Sequence, residues 1–492
     1  MAANTDQEIA PLSENNDPPN DLVIRISGEV SEPGPECCIF KVPIRFRAGN
    51  EAAYAPHLIS IGPTHRDDPN LAPMESQKER YYYEFLRKTS EKTLKDFESS
   101  IKLNVTRICR CYDVQSIYML DPSQLIEIIF RDAVFIFTLF LRDWAKKQGF
   151  TSKDNNHDEE EDDYYDLNQS ALLRVKLLTD LMLLENQLPF FVLEDLYKLV
   201  FPSSNENSFP DPAKPASNGY CFLDLACSYF NIKKHPSFEK KKIKHFTDLI
   251  RYQVLRNCPI VGNDEQIGNY NMHSATKLHE AGVKFKCTTV KNIFRVMFNG
   301  VSYNCKKIGD LDLEGFWLIN QATNDALEST EYSLLEVEFK KGVLKLLTID
   351  VEYETEIRFR NLMAFEQYYY SKRAYFCSYI KLLDSLIDTN EDVDLLVKEG
   401  IIVNRLGSSA AVAEMINKLA VGVVHSTLLY GEIGWKLDQH YKNPWNHTMA
   451  TLRHVYFSDL WRGTGTAAAF IVVILTLMQT ILAILEKAAP TK

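Results

Sequence analysis

The chain has 492 residues, of which 45% are hydrophobic, and its formal net charge is -11. This length and apolar content allow one or two domains with a substantial core. The acidic balance argues against a nucleic-acid partner, because binding phosphates requires a dense basic surface. Ten cysteines occur without a CxxC pair, a pattern typical of reduced thiols facing the cytosol rather than of a zinc site.

The N-terminal residues 1–35 are polar and proline-rich, and they lack a cationic start followed by an apolar core. They predict a disordered leader without a secretory signal peptide, because so few apolar groups cannot offset the entropy of ordering. Residues 36–461 then predict a mainly helical body. Its clearest helix start is Asp121-Pro122-Ser123-Gln124, which combines an N-cap, a first-turn proline and a capping-box glutamine. The apolar run Ala133–Leu141 in that helix is bounded by charges and predicts a buried core segment.

An acidic run interrupts the helical pattern at residues 154–166. It has no hydrophobic period, and blocks of like charge repel one another and stay solvated. We interpret it as a flexible surface insertion. Cation binding is the alternative, and it would require carboxylates held in a fixed geometry.

A second interruption, residues 283–359, is typical of strands. VKFK is followed by FRVMF before Asn299-Gly300, and LEVEFK reaches a turn at Lys341-Gly342 before VLKLL. The alternation of apolar and charged residues, together with these turn pairs, predicts a small, partly exposed antiparallel sheet. Helix is expected to return between Asn361 and His425.

The C-terminal part contains an uncharged apolar run from Thr464 to Leu485, followed by the short tail 486–492. Helical residues rise about 1.5 Å each, so this run reaches about 33 Å, enough to cross a hydrocarbon core of about 30 Å. The sequence therefore predicts a transmembrane helix over 464–485 that contacts membrane lipid. The fold class is accordingly mainly α, with a large helical body, a small antiparallel β insert and one C-terminal transmembrane helix.

The flanking residues suggest how this anchor is oriented. A slight excess of positive charge on the N-terminal side of the run favours a body in the cytosol. The sequons at Asn104, Asn168 and Asn446 leave the side of the membrane undecided, because such triplets arise by chance. The aromatic residues expected in a belt at the membrane surface are Trp435, Trp445, Tyr456 and Trp461.

Four further stretches are largely apolar but contain polar residues at positions where the chain must turn or pack. They are KVPIRFRAGNEAAYAPHLISIGP (41–63), LLTDLMLLENQLPFFVLEDLYKL (177–199), SATKLHEAGVKFK (274–286) and FRNLMAFEQ (359–367). Together with HYKNPWNHTMATLRHVYF before the apolar run, they resemble the plant-specific family known as domain of unknown function 247. The resemblance extends from about residue 38 to residue 485.

This resemblance implies a single-pass plant membrane protein with a mostly helical body. Certain grass members of the family are associated with self-incompatibility between pollen and stigma, which points to recognition rather than catalysis. The chain departs from the family pattern at Asp132-Ala133-Val134, where a glycine and a cysteine are common, and at Ser458–Trp461, which replaces a more usual Asn-Pro-Trp.

The LENQLPF string has a physical interpretation of its own. Pro189 cannot continue a helix, so carbonyl groups one turn earlier lose their partners. We expect Glu185, Asn186 and Gln187 to satisfy freed backbone groups inside a packed corner rather than to catalyse a reaction. The residues predicted to form this structural motif are Pro43, Tyr54, Gly62, Pro63, Glu185, Asn186, Gln187, Pro189, Asn361, Glu366 and Gln367.

No catalytic, cofactor-binding or metal-ligating residue is predicted. The GxGxxG, GxxxxGK[ST], HExxH and GxSxG signatures do not occur in the sequence. His57 and His65 lack a nearby third ligand. His440, His447 and His454 recur every seven residues, but a proline between the first two interrupts their helical face.

Two functions remain after these considerations. The sequence favours a non-enzymatic, membrane-anchored protein that binds a protein partner in recognition or signalling. The alternative is a membrane-bound enzyme with an unfamiliar site, using His57, His65 or Glu185 in a deep cleft.

Overall fold

The computed structural model describes residues 34–117, 120–147, 167, 170–201, 221–232, 234, 242–256, 258, 270–288, 335–424, 429–452 and 460–488. The predicted leader, except for its last two residues, lies outside this part of the chain. The predicted acidic insertion and the Asn299-Gly300 turn also lie outside it. The described residues form α-helices and a few short strands, so the prediction of a mainly helical fold with a small sheet is confirmed.

The helices of the first half, in chain order, are α1 (Ile44–Arg47), α2 (Ala72–Lys88), α3 (Glu91–Cys109), α4 (Val114–Ile117), α5 (Pro122–Lys147), α6 (Ala171–Asp180), α7 (Phe190–Val200), α8 (Phe222–Tyr229) and α9 (Phe246–Val254). Those of the second half are α10 (Ala275–Glu280), α11 (Thr355–Tyr369), α12 (Tyr375–Leu386), α13 (Asn390–Lys398), α14 (Ser409–Ala420), α15 (Gly431–Lys442), α16 (Pro444–Thr451) and α17 (Leu460–Ala488). The strands are β1 (Lys284–Cys287), β2 (Glu338–Lys340), β3 (Val343–Leu346), β4 (Ile349–Val351) and β5 (Ile402–Asn404).

Helix α5 is the centre of the first half and packs against α2, α3 and α8. Its predicted start is confirmed: Asp121 Oδ1 accepts hydrogen bonds from the backbone N–H groups of Ser123 at 2.8 Å and Gln124 at 2.9 Å. Gln124 Oε1 completes the capping box by accepting a hydrogen bond from the Asp121 N–H at 3.2 Å. The predicted core segment is buried from Ala133 to Phe140, because α5 carries apolar residues on all faces there.

Helix α11 is the centre of the second half. Its residues are buried from Thr355 to Gln367 except one at the first turn, and it packs against α9, α12 and α14. It also contacts a 3-10 turn at Glu51–Tyr54, which belongs to the N-terminal segment of the chain. We call residues 37–63 the N-terminal segment below. This irregular stretch packs against the cores of both halves.

The sheet differs from the antiparallel sheet that the sequence predicts. Strand β3 lies in the middle, antiparallel to β2 but parallel to β1. The turn Lys341-Gly342 has φ values of 51° and 74°, as a tight hairpin between β2 and β3 requires. Strands β1 and β3 are more than fifty residues apart in sequence, so a tight turn does not join them. A connection of that length permits a parallel crossover.

A second, two-stranded sheet pairs β4 with β5 in parallel. The sequence predicts only helix around β5, so this prediction is wrong at Ile402–Asn404. The apolar residues around β5 resemble the continuation of a helix. Gly400, at φ 74°, instead ends α13 and redirects the chain toward β5.

Helix α17 covers the predicted transmembrane run. Its described side chains, at 464–465 and 468–484, are all exposed. Among the residues that the structure describes, no helix combines the length and apolarity needed to cross a bilayer. The span over 464–485 is therefore not confirmed.

Candidate functional site

The LENQLP string forms a sharp corner between two helices. Helix α6 ends at Asp180, the chain passes through consecutive turns, and α7 begins at Phe190. Pro189 occupies the N-cap of α7 with φ -60° and ψ 128°, an extended conformation from which a helix can begin. Every residue from Leu177 to Phe190 is buried, so each polar group in the corner needs a partner inside the protein.

The two amide side chains of the corner bond backbone groups, as the sequence predicts. Gln187 Nε2 donates to the carbonyls of Leu181 at 2.6 Å and Leu183 at 2.8 Å. Asn186 Nδ2 donates to the carbonyls of Asp180 and Ile59, both at 3.0 Å. The carbonyls of Asp180, Leu181 and Leu183 lie at and just after the C-terminus of α6. Those of Asp180 and Leu183 also accept from backbone N–H groups in the consecutive turns.

The corner also holds the N-terminal segment through backbone N–H groups. The carboxylate of Asp180, which is 0% exposed, accepts from His57 at 3.0 Å, Leu58 at 2.7 Å and Ile59 at 2.9 Å. Asn186 Oδ1 accepts from Ile61 at 2.6 Å. Burial raises the pKa of Asp180, and the three N–H groups oppose this by favouring the carboxylate.

The next N–H group in the segment, that of Gly62, donates to Asp132 Oδ2 at 2.7 Å. The other oxygen of Asp132 accepts from Lys78 Nζ at 2.7 Å, and both side chains are buried. Burial raises the pKa of Asp132, whereas the Lys78 ammonium lowers it. Asp132, one of the residues at which the sequence departs from the family pattern, therefore joins α5 to α2 and to the N-terminal segment.

Glu185 differs from the amides beside it, because a carboxylate cannot donate to free carbonyls. The expectation that it satisfies the corner's own backbone is wrong. Glu185 Oε1 instead accepts from the Val42 N–H at 2.7 Å and from the Arg47 guanidinium. Its other oxygen lies 3.2 Å from His65 Nε2. A carboxylate with no evident partner nearby in sequence thus anchors the start of the N-terminal segment.

Helix α11 supplies the remaining polar side chains of the predicted motif. Asn361 Oδ1 accepts from the Leu184 N–H at 2.9 Å, and its Nδ2 donates to the Ala53 carbonyl at 2.8 Å. Asn361 therefore joins α11 to the corner and to the N-terminal segment in one side chain. Its amide also bonds within its own helix.

One turn further along α11, Glu366 and Gln367 reach other segments. Glu366 forms a buried ion pair with Arg251 of α9 at 2.9 Å, and its second oxygen accepts from the Cys377 N–H at 3.0 Å, in the first turn of α12. Gln367 Oε1 accepts from the Val424 N–H at 3.0 Å. Burial raises the pKa of Glu366 and the Arg251 charge lowers it.

The last residues of the predicted motif shape the N-terminal segment itself. Pro43 is the N-cap of α1, and the buried hydroxyl of Tyr54 donates to the Phe46 carbonyl at 3.2 Å. Gly62 adopts φ +75° in close contact with the corner, and Pro63 is buried beside it. These residues hold an irregular chain in one conformation.

The buried polar side chains described above bond to groups of the protein itself. The His57 side chain is exposed, whereas His65 lies beside Glu185, so the structure does not gather the three residues of the enzyme alternative into one cleft. A pocket of about 260 Å³, open solvent included, lies beside Tyr54 and Gln367. Its described lining has neither histidine nor carboxylate. Among the described residues no group of three potential metal ligands occurs.

Sequence reasoning missed Asp180, Asp132 and Arg251 as members of this network. Asp180 stands directly inside the LLTDLMLLENQLP string, and an acidic residue in so apolar a stretch was a usable signal. Asp132 carries the same signal in the apolar part of α5. Arg251 carries no comparable signal, since its partner Glu366 lies 115 residues away.

A histidine beside this network makes stability depend on pH. His245, the N-cap of α9, is 0% exposed, and its Nε2–H donates to the Cys38 carbonyl at 3.0 Å. Its Nδ1 accepts from the Asp248 N–H at 3.4 Å, which requires a neutral ring. Burial lowers the pKa of His245 to about 3. Three residues later, burial raises the pKa of Asp248 to about 6.

We expect the His245→Gln variant to be less sensitive to acid than the native chain. Below pH 6.5 the unfolded chain protonates His245 while the folded protein does not, so stability is lost as pH falls. Between pH 7 and pH 5 this loss is about 2 kcal/mol. Asp248 opposes it by about 1 kcal/mol, because its folded-state pKa is raised and protonation relieves a buried charge.

The measurement is the free energy of unfolding of both proteins in mild detergent at pH 7 and pH 5. Asp248 acts equally in the two proteins, so the difference between them isolates His245. The native chain should lose about 2 kcal/mol more than the variant. Parallel pH dependences would show that His245 is protonated in the folded protein.

Comparison with known proteins places the chain in a family. A family profile described as plant protein of unknown function, DUF247, matches residues 39–475. The UPF0481 protein At3g47200 of Arabidopsis thaliana is 27% identical over 92% of this chain and 87% of its own length. The putative UPF0481 protein At3g02645 of the same plant is 23% identical over 90% and 89%. No solved structure matches the chain. The predicted resemblance is confirmed, and the chain belongs to the DUF247 family of plant proteins.

Proposed function

We propose that the protein is a membrane-anchored, non-enzymatic component of recognition or signalling, whose helical body binds a protein partner. The observation that carries the anchor is the surface of α17. Apolar side chains around this helix are exposed, among them Phe470 at 67%, Leu475 at 54% and Leu482 at 65%. A helix that is apolar on all sides is stable when an apolar medium surrounds it, and lipid supplies that medium for residues 464–485.

The helices that precede α17 support the same location. Trp445 and Met449 lie one turn apart on α16 and are 68% and 50% exposed, and Trp435 on α15 is 42% exposed. Tryptophan is enriched where a membrane meets water, because its ring is apolar and its N–H can bond to water or headgroups. We propose that these helices lie at the membrane surface, with the body on the cytosolic side.

The use of the polar residues supports binding rather than catalysis. The buried carboxylates and amides described above bond backbone N–H and C=O groups of the chain itself. Other molecules can therefore contact the body only at its outer surface. Binding a protein partner requires such a surface and no reactive centre. The enzyme alternative requires a cleft with converging titratable groups, and no observation on the described residues favours it.

The anchor is tested in the full chain by introducing charge into α17. The double variant Leu475→Arg, Leu482→Arg should leave the membrane fraction on alkaline carbonate washing. Each arginine in the bilayer costs about 2.5–3.5 kcal/mol near its centre. The control Leu103→Arg changes a leucine that is 87% exposed on α3, and it should stay membrane-bound like the native chain. Equal retention of all three proteins would refute the anchor.

The recognition function is tested on the same proteins by crosslinking in plant membranes followed by affinity purification. The native chain and the Leu103→Arg control should recover the same protein partner. The released double variant should recover less of it, because it no longer shares a membrane with that partner. Failure of the native chain to recover any reproducible partner would contradict the proposal.

A further inference from the structure

Two cysteines from distant parts of the sequence meet where the N-terminal segment passes the end of α3. Ile39 and Tyr112 form a parallel β-bridge, and Cys38 and Cys111 are the residues just before them. The backbone N–H groups of Cys38 and Ile39 both donate to the Cys111 carbonyl at 2.9 Å. The two cysteines therefore lie next to each other beside this bridge.

This arrangement suits a disulfide bond. Backbones paired by hydrogen bonds lie about 4.8 Å apart. Disulfides join residues whose Cα atoms are about 4.4–6.8 Å apart. The pKa of each thiol is shifted first by the other thiol, as expected of side chains that lie close together.

The two thiols differ in access and in acidity. Cys38 is 1% exposed and Cys111 is 9% exposed, so solvent reaches Cys111 first. The hydrogen bond from Cys38 lowers the pKa of Cys111, burial opposes this, and the Lys244 charge lowers it further. The same hydrogen bond and burial raise the pKa of Cys38. Cys111 thus has the properties of an attacking thiolate and Cys38 those of a resolving thiol.

We propose that Cys38 and Cys111 are a modification site for hydroperoxides, which convert them to a disulfide. The Cys111 thiolate attacks the peroxide O–O bond, forms a sulfenic acid and releases an alcohol, or water from hydrogen peroxide. The Cys38 sulfur then displaces the sulfenic oxygen, which leaves as water, and the S–S bond forms. Two thiols lose two electrons and two protons, and one hydroperoxide accepts them.

The disulfide would change the stability of the N-terminal segment. It closes a loop from residue 38 to residue 111, and closing a loop of that length reduces the entropy of the unfolded chain. The oxidised protein would hold the segment more firmly against α3. In a reducing compartment cellular thiols would reverse the bond, so the site reports transient oxidation. This inference does not depend on the membrane anchor or on a partner.

The test uses the full chain, reduced and then treated with one equivalent of hydrogen peroxide in mild detergent. Thiols are blocked by alkylation, and peptides are identified by mass spectrometry. The expected main product is the peptide pair joined through Cys38 and Cys111, with a higher melting temperature than the reduced chain. The Cys38→Ser variant should instead accumulate sulfenic or sulfinic acid at Cys111. Cys221→Ser, which removes an exposed thiol, should leave the crosslink unchanged.

Three results would overturn the proposal. Both thiols could stay reduced while the exposed Cys221 is oxidised. Cys111 could pair instead with Cys37 or Cys109, its neighbours in this region. The crosslink could also form without raising the melting temperature of the oxidised chain, which would refute its effect on the N-terminal segment. The native chain alone decides the first two, so a variant that folds poorly does not affect them.

Discussion

The Gly62→Ala variant should be strongly destabilised, by about 3 kcal/mol or more. Gly62 has φ +75°, a conformation that costs L-residues about 1–2 kcal/mol. An added Cβ would also lie 2.5 Å from the Gln187 carbonyl oxygen and 3.3 Å from the Tyr112 hydroxyl. Because Gln187 is fixed by its own hydrogen bonds, the corner cannot easily move away. The free energy of unfolding in mild detergent measures the effect.

Gly400 provides the matched control. It has φ +74°, but nothing lies within 4 Å of an added Cβ there. Gly400→Ala should therefore cost only the conformational part, about 1–2 kcal/mol. Equal losses for the two variants would show that the contact between Gly62 and the corner does not constrain the fold.

The Asn186→Ala variant should lose stability on the order of 3–5 kcal/mol, since each buried group left without a partner costs about 1–3 kcal/mol. The change removes the Asn186 bonds of the Ile61 N–H and of the Ile59 carbonyl. The Asp180 carbonyl loses one of its two bonds and keeps that from the Leu183 N–H. It also leaves a small cavity in a fully buried corner. The melting temperature and the yield of folded protein should both fall.

Asn70→Ala is the control for this change. Asn70 is exposed, and its side chain bonds only to the half-buried Asp68 among the contacts described. Its replacement should change the free energy of unfolding by no more than about 0.5 kcal/mol. If Asn186→Ala were as stable as this control but bound its partner differently, Asn186 would have a role in recognition rather than in the fold.

Local sequence signals predicted the elements whose causes are local. The cap at Asp121 fixes the start of α5 through groups within three residues, and Pro189 is the N-cap from which α7 begins. The turn at Lys341-Gly342 likewise follows from the conformations of two residues. In each case the residues that make the structure are neighbours in sequence, so one chain is enough to recognise the pattern.

The long-range contacts could not be predicted in this way. Glu185 was assigned to its own corner, yet its partners Val42 and Arg47 lie more than 130 residues earlier. The pairing of β1 with β3 depends on a crossover rather than on a turn. A single sequence shows that a buried polar residue needs a partner, but tertiary packing decides which partner it finds.

The network also explains why the predicted motif is scattered over the sequence. Its members lie on the N-terminal segment, the corner and α11. The side chains of Glu185, Asn186 and Asn361 each join two of these three parts. An irregular segment lacks the regular backbone hydrogen bonds of a helix or sheet. Side chains from other elements therefore bond its N–H and C=O groups. The motif therefore holds the two helical halves to one segment.

Hydrogen–deuterium exchange on the full chain tests this central claim most directly. The account predicts that the amides of residues 57–62 exchange as slowly as those in the middle of α5, because each of those bonded to the corner opens only when the network does. In Asn186→Ala the same amides should exchange much faster, while α5 stays protected. Rapid exchange of residues 57–62 in the native chain would contradict the account.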